Sequence, residues 1–221
     1  MAKGEMFEKE CKEQIGRQRE LAGSIVVHGG LFFGDYLPLC SALAGTHGLV
    51  LGFEPVSRNV QYSRLTAAAN NLSNVQIKHA CMSNQTRTTS MCSLNRQGKE
   101  VGGQGAVDAS TAACQPQATR CEAIDDVVKS SANDMRVGLL VLDTEGHEVE
   151  ALRGALGTLT RWKPLVATEL EIATSVFWQS SMRPLGYRKV GHCIGELSRF
   201  VHLKFYDTGA EPVWRSNQHV G

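Results

Sequence analysis

Residues 25–55, IVVHGGLFFGDYLPLCSALAGTHGLVLGFEP, limit the fold more than any other part of the chain. The stretch opens on Ile25-Val26-Val27, a β-branched run suited to a buried strand. His28-Gly29-Gly30 breaks the run, and Gly34 lets the backbone turn again close to a ligand. Over residues 36–44 the apolar side chains fall at helical spacing, and Pro38 fits such a helix only in its first turn. Leu49-Val50-Leu51 begins a second strand that ends at Glu54-Pro55. The unit is therefore strand, glycine turn, helix, strand, acid. Glu54 stands 20 positions after Gly34. In nucleotide-binding units of this kind, an acid roughly 20 residues beyond the glycine turn holds a ribose hydroxyl. The glycines at 29, 30 and 34 do not make GxGxxG, the dinucleotide fingerprint, which argues against an NAD-dependent oxidoreductase. The FEP around the acid points instead to an adenosyl ligand without a pyrophosphate. The competing reading is an ordinary α/β unit with an incidental glutamate.

Composition narrows the classes. A chain of 221 residues suits one α/β domain, residues 1–221, with enough apolar side chains for a full core. The net charge is +1, from 23 basic and 22 acidic residues, with no basic run, so no nucleic-acid partner is expected. No apolar run nears the roughly 20 residues that span a bilayer, so no membrane partner is expected. The charged start, MAKGEMFEKECKEQ, lacks the apolar core of a secretory signal. The seven cysteines are scattered at 11, 40, 81, 92, 114, 121 and 193 and make neither CxxC nor a zinc spacing. They read as reduced thiols of a cytoplasmic protein.

Taken in order, Phe7, Cys11, Ile15 and Leu21 mark an N-terminal helix within residues 1–22, a packing helix or a lid. Ser57 reads as the cap of a helix running to about Asn71. A third strand over 75–79 ends at Ala80-Cys81-Met82. Residues 83–120, rich in Ser, Thr, Gln and Gly, read as an irregular insertion: a ragged hairpin, a disordered loop, or a substrate lid. VGLLVL at 137–142 has the continuous apolar character of a central parallel strand. DTEGHE follows it, then one helix with Val149, Leu152, Leu156 and Leu159 inward. A fifth strand over 165–168 closes at Glu169, and a helix over 173–182 carries exposed-looking Phe177 and Trp178. With Trp214 these aromatics permit a homodimer interface. Strands near 188–193 and 200–206 suggest a terminal hairpin. The expected fold is a doubly wound, mostly parallel sheet with a C-terminal antiparallel hairpin. Ligands of such sheets lie beyond the strand carboxyl ends, where His28, Gly30, Glu54, Cys81, Asp143 and Glu169 gather.

These residues resemble the FkbM family of S-adenosylmethionine-dependent methyltransferases, which have a Rossmann-like class I fold. The family's first motif, roughly V-D-V-G-A-N-x-G-D-Y, corresponds to VVHGGLFFGDY; its FEP is kept in GFEP; its I-D-V-E-G-x-E-x-x-x-L-x-G appears as LDTEGHEVEALRG. The resemblance implies methyl transfer from S-adenosylmethionine, leaving S-adenosylhomocysteine, usually to an oxygen of a small molecule or saccharide. It implies that His28, Gly30, Phe32, Gly34 and Asp35 surround the methionine end of the cofactor. It gives Glu54 the ribose hydroxyls, counts Pro55 among the cofactor-binding residues, puts Ala80 and Cys81 near the adenine, and sets Asp143 at the centre, near methionine or acceptor. This chain departs from the motif at His28 (Asp in the family), Leu31 (Ala) and Phe32 (Asn). These departures support the alternative of a catalytically degenerate binding or scaffold protein.

Transfer to a hydroxyl needs an aligned nucleophile in a dry pocket and a group to take its proton. The candidates are His147, whose ordinary pKa lies near working pH, and Asp143 and Glu145. Asp143, Glu145 and Glu169 are also hard oxygen donors of the type magnesium takes, but the reading favours no metal.

Overall fold

The computed structural model describes residues 9–18, 21–95, 106–107, 114–131, 135–169, 172–194 and 201–209. In chain order the elements are α1 (Lys9–Gln18), β1 (Ile25–Gly29), α2 (Leu37–Ala44), β2 (Leu49–Phe53), α3 (Ser57–Ala69), β3 (Val75–Lys78), β4 (Cys81–Met82), β5 (Arg87–Asn95), β6 (Ala106–Val107), β7 (Cys114–Glu122), α4 (Ile124–Ser131), β8 (Val137–Leu142), α5 (Glu148–Arg153), α6 (Leu156–Trp162), β9 (Leu165–Glu169), α7 (Ile172–Phe177), β10 (Arg188–Ile194) and β11 (Val201–Asp207).

Seven strands form the main sheet in the order β10-β11-β9-β8-β1-β2-β3. β1 pairs in parallel with both β2 and β8, while β11 runs antiparallel to β9 and β10. All six residues of β8 are buried, as its unbroken apolar run predicts for a strand covered on both faces. Helices α1 and α2 cover one face, where Cys11, Ile15, Leu37 and Cys40 meet Val26, Val50 and Leu139. On the other face Ile124, Leu152, Leu159 and Phe177 meet Val27, Leu51 and Leu140. Burying each such side chain is worth about 1.5–3 kcal/mol. The doubly wound sheet with a terminal hairpin is thus the fold found.

Four readings of the sequence are corrected. First, Cys81-Met82 does not end the third strand; within the segment read as a ragged hairpin, a disordered loop or a lid, the hairpin is found, β5 against β7, from the pair Arg87–Cys121 to the pair Asn95–Cys114. It forms a second sheet, β4-β7-β5-β6, and takes Cys81-Met82 away from β3. Its β-branched Thr residues favour strands, but a small polar run carries little hydrophobic alternation. Second, Ser57 does not cap α3; the cap position is Val56, in extended conformation and without a side-chain cap. Third, the helix expected from Val149 breaks into α5 and α6. A side chain on Gly154 would overlap the Ser83 carbonyl oxygen, so the chain bends where two backbones touch. Leu156 is left 41% exposed. Asp125 caps α6 from another helix, accepting from Gly157 N at 2.8 Å, Thr158 N at 2.7 Å and Thr158 Oγ1 at 2.7 Å. Fourth, Phe177 is buried, and Trp178 lies half-buried beside Tyr206, ring centroids 5.8 Å apart. Phe7 and Trp214 lie outside the described residues.

The cysteines overturn the reading of reduced thiols. Cys11 is joined to Cys193, and Cys81 to Cys121; Cys92 is also disulfide-bonded. The partners stand 182 and 40 residues apart in sequence, so no local spacing announces them. The register does: Cys81 of β4 lies directly across from Cys121 of β7. Among the described residues Cys40 is free, and burial, then the charge of Asp35, push its thiol up to about 12. Among the described residues no helix is long and apolar enough to cross a membrane.

Candidate cofactor site

The site is built where β1, β2 and β8 end. Asp143 N donates to Gly29 O at 3.1 Å, and Gly30 N and Leu31 N donate to Phe53 O at 3.0 and 3.2 Å. These bonds carry the ladder past the strands and clamp the turn. Gly30 has φ 79°, and a Cβ there would overlap the carbonyl oxygen of Asp143. Only glycine meets both demands. Gly34, with φ 77°, lets the turn lie against α3, where a Cβ would come within 3.0 Å of Ser63 Cα.

Between the two glycines, Leu31 points into the core and is fully buried against Gly52. Phe32 takes a left-handed φ of 50°, a conformation that costs an ordinary side chain roughly 1–2 kcal/mol. The surroundings hold it there. Phe32 N donates to Glu54 Oε2 at 2.9 Å, Ser63 Oγ donates to Phe32 O at 3.0 Å, and Thr66 Oγ1 donates to Phe33 O at 2.7 Å. The rings of Phe32 and Phe33 stack at 3.7 Å, and Phe33 meets Tyr62 edge-on at 5.2 Å. Both phenylalanines thus lean toward α3, where with Arg58, Asn59, Tyr62 and Thr66 they line a groove of about 530 Å³.

Glu54, the predicted ribose ligand, is 4% exposed. It accepts from Phe32 N and Val56 N, each at 2.9 Å, and from Asn59 Nδ2 at 3.4 Å. Burial raises its pKa, and the two main-chain donors and Asn59 oppose that rise. Pro55 is half-buried, its carbonyl oxygen 3.0 Å from His79 Nε2. Ala80 is buried, and Cys81 is a half-cystine rather than a reduced thiol.

Asp35 is engaged. Lys12 Nζ on α1 lies 2.7 Å from its Oδ2, with the lysine side chain 5% and the aspartate 30% exposed. The same ammonium stands 4.6 Å from the centre of the Tyr36 ring, and the ring of buried His28 also lies near it, centroids 5.4 Å apart.

Asp143 is half-buried at the end of β8, and Glu145 is exposed with φ 54°. The bend that presents them is held by Glu148, which is 1% exposed and accepts from Thr144 N at 2.7 Å, Thr144 Oγ1 at 2.9 Å and Gly146 N at 3.3 Å. Burial raises the pKa of Glu148 against those bonds. His147 is buried, with Nε2 3.4 Å from Ser83 Oγ on the turn after β4. The structure therefore groups Gly30, Phe32, Glu54 and the backbone of Asp143, couples Asp35 to α1, and sets His147 against β4. Sequence reasoning missed Lys12, Ser63, Thr66 and the holding role of Glu148. The acid in the first turn of α5 was visible; the other three act only through tertiary contacts. Among the described residues no three His, Cys, Asp or Glu side chains converge as a metal would require.

The sheet order, with its last strand reversed, and the acid at the end of β2 define a class I methyltransferase fold. The sequence matches the methyltransferase FkbM domain over residues 23–204, and the chain belongs to that family. None of the curated proteins is similar enough in sequence to match it. Among solved structures, it is similar to methyltransferase FkbM from Methylobacillus flagellatus, at TM-score 0.60 and 17% identity over 86% of this chain and 45% of that one. The chain thus spans under half the length of that protein. A putative methyltransferase from Streptococcus mutans, solved in complex with S-adenosylhomocysteine, gives TM-score 0.55 and 12% identity over 90% and 97%. A SAM-dependent O-methyltransferase from Thermotoga maritima gives 0.53 and 11% over 92% and 66%. At these identities the likeness is one of fold.

The residues fit the family's cofactor at one end. Glu54 is held at the close of β2 with its carboxylate oriented by two main-chain donors, at the position where the family resemblance puts a ribose ligand. At the methionine end the fit fails in two places: the first-motif acid is His28, and Asp35 is neutralised by Lys12.

Proposed function

We propose that the protein transfers the methyl group of S-adenosylmethionine to a hydroxyl oxygen of a small molecule or saccharide. The observation that carries this is Glu54, fixed between the turn after β1 and the start of α3, inside a chain of the FkbM family. When bound, the cofactor supplies an electrophilic methyl carbon. The chain's own task is to hold the nucleoside, exclude water and take the acceptor's proton. Asp143 and Glu145, presented by the bend that Glu148 holds, are the proton acceptors favoured here; His147 is more deeply placed. The groove of aromatic rings interleaved with Arg58, Asn59 and Thr66 suits a sugar, which offers both apolar faces and hydroxyls. The paired cysteines favour an oxidising compartment over the cytoplasm as its place of work.

The test is calorimetry with S-adenosylhomocysteine, then transfer of a labelled methyl group to a panel of glycosides and small alcohols. Label in an ether product is the expected result. Absence of binding at millimolar ligand overturns the reading. A second reading, a binding protein that has lost transfer, is favoured by buried Leu31 and left-handed Phe32 at the positions of the family's Ala and Asn. Ligand binding without label in any product would select it.

A further inference from the structure

The mismatch at the methionine end has a physical content. An ammonium is best held by an acid that has no other cation on it. Asp35 follows Gly34 on the turn whose Phe32 N holds Glu54, and its carboxylate already carries Lys12 at 2.7 Å. Lys12 does not reach outward: its side chain is 5% exposed and its ammonium lies on the Tyr36 ring. It cannot swing away with its helix, because the residue before it, Cys11, is bonded to Cys193 of β10, and both are fully buried. The third element of the cluster, His28, brings no carboxylate where the family has one.

We infer that Lys12 is a specificity-determining residue of the cofactor site: by pairing with Asp35 it withholds that acid from the cofactor's ammonium, so adenosyl ligands are selected through the nucleoside more than through the amino acid. The inference rests on the adenosyl reading above. It makes α1 part of the site although no residue of that helix belongs to the family's motifs.

The experiment compares two probes on the full chain, S-adenosylhomocysteine and methylthioadenosine, which lacks the amino acid. Affinities are measured by calorimetry for the wild type, Lys12→Met and Lys12→Arg. Met keeps an apolar stem in the buried channel but frees the acid; Arg keeps the charge. The wild type should bind the two probes within about threefold of each other. Lys12→Met should tighten S-adenosylhomocysteine about tenfold while leaving methylthioadenosine unchanged, and Lys12→Arg should match the wild type. A purely structural lysine would move both probes together. A wild type that already prefers S-adenosylhomocysteine tenfold or more, or a Lys12→Met ratio equal to that of the wild type, overturns the inference and leaves the adenosyl site standing. Failure of every variant to bind either probe overturns both. Should Lys12→Met not fold, the wild-type ratio alone decides.

Discussion

Glu54 does two jobs that substitution separates. Its oxygens satisfy the N–H groups of Phe32 and Val56, and buried donors left unpaired cost about 1–3 kcal/mol each. Glu54→Ala should therefore lower the stability of the protein as well as its affinity for S-adenosylhomocysteine, the latter by roughly 1.5–3 kcal/mol. Glu54→Gln keeps an acceptor and should retain more of both; urea unfolding beside calorimetry separates the two losses. Gly30→Ala is harsher, since it meets a positive φ and the Asp143 carbonyl at once. It should cost more than about 4 kcal/mol, read as a fall in the urea midpoint. The sequence made Gly30, Gly34 and Glu54 legible because their spacing reflects backbone geometry. Lys12 was not legible, because its meaning comes from a residue 23 positions away.

At the scale of elements, two attachments matter. The Cys11–Cys193 bond closes a span of 182 residues, which the chain-entropy model values at about 5 kcal/mol. The double variant Cys11→Ser, Cys193→Ser should unfold more than about 10 °C below the wild type in calorimetric scans. Asp125 supplies α6 with the cap its own N-terminus lacks. Asp125→Ala should cost about 1–2 kcal/mol, with Asp125→Asn recovering part of it in the same urea titration. The elements that could be read were the apolar runs, β1, β2 and β8, where burial on both faces leaves a plain signature. The β5–β7 hairpin was legible only as one of several readings of residues 83–120, because its strands are small and polar and carry little hydrophobic alternation. The split between α5 and α6 was hidden too, since the break follows from a contact of Gly154 with the turn after β4, not from the hydrophobic period.

Across the whole molecule the charges set an acid-side profile. Burial raises the pKa of Glu54 and Glu148 above the ordinary 4.5. Their ionised forms weigh against folding at neutral pH, and that cost is relieved as pH falls toward 4.5. Glu122 goes the other way: burial opposes ionisation, but hydrogen bonds and charge from Arg120 and Lys78 outweigh it and hold its pKa below 4.5. Its contribution is complete above 4.5 and disappears as pH falls through the lowered value. Stability should rise gently from neutral pH toward 4.5 and drop beneath it. Urea midpoints across pH check this, and Glu148→Gln should flatten the rise. The Lys78–Glu122 pair also joins the main sheet to the second one, so acid should loosen the hairpin first.

Cys40 carries a last consequence. A thiolate attacks disulfides, and a thiol with a pKa near 12 is almost never a thiolate. Sealed on the buried face of α2, it is a spectator in the finished protein. In a partly folded chain it would be a competitor, free to capture a bridge meant for another sulfur. Oxidative refolding of Cys40→Ala should yield fewer scrambled isomers than the wild type, and the benefit should vanish once refolding begins from a chain whose α2 layer has already closed.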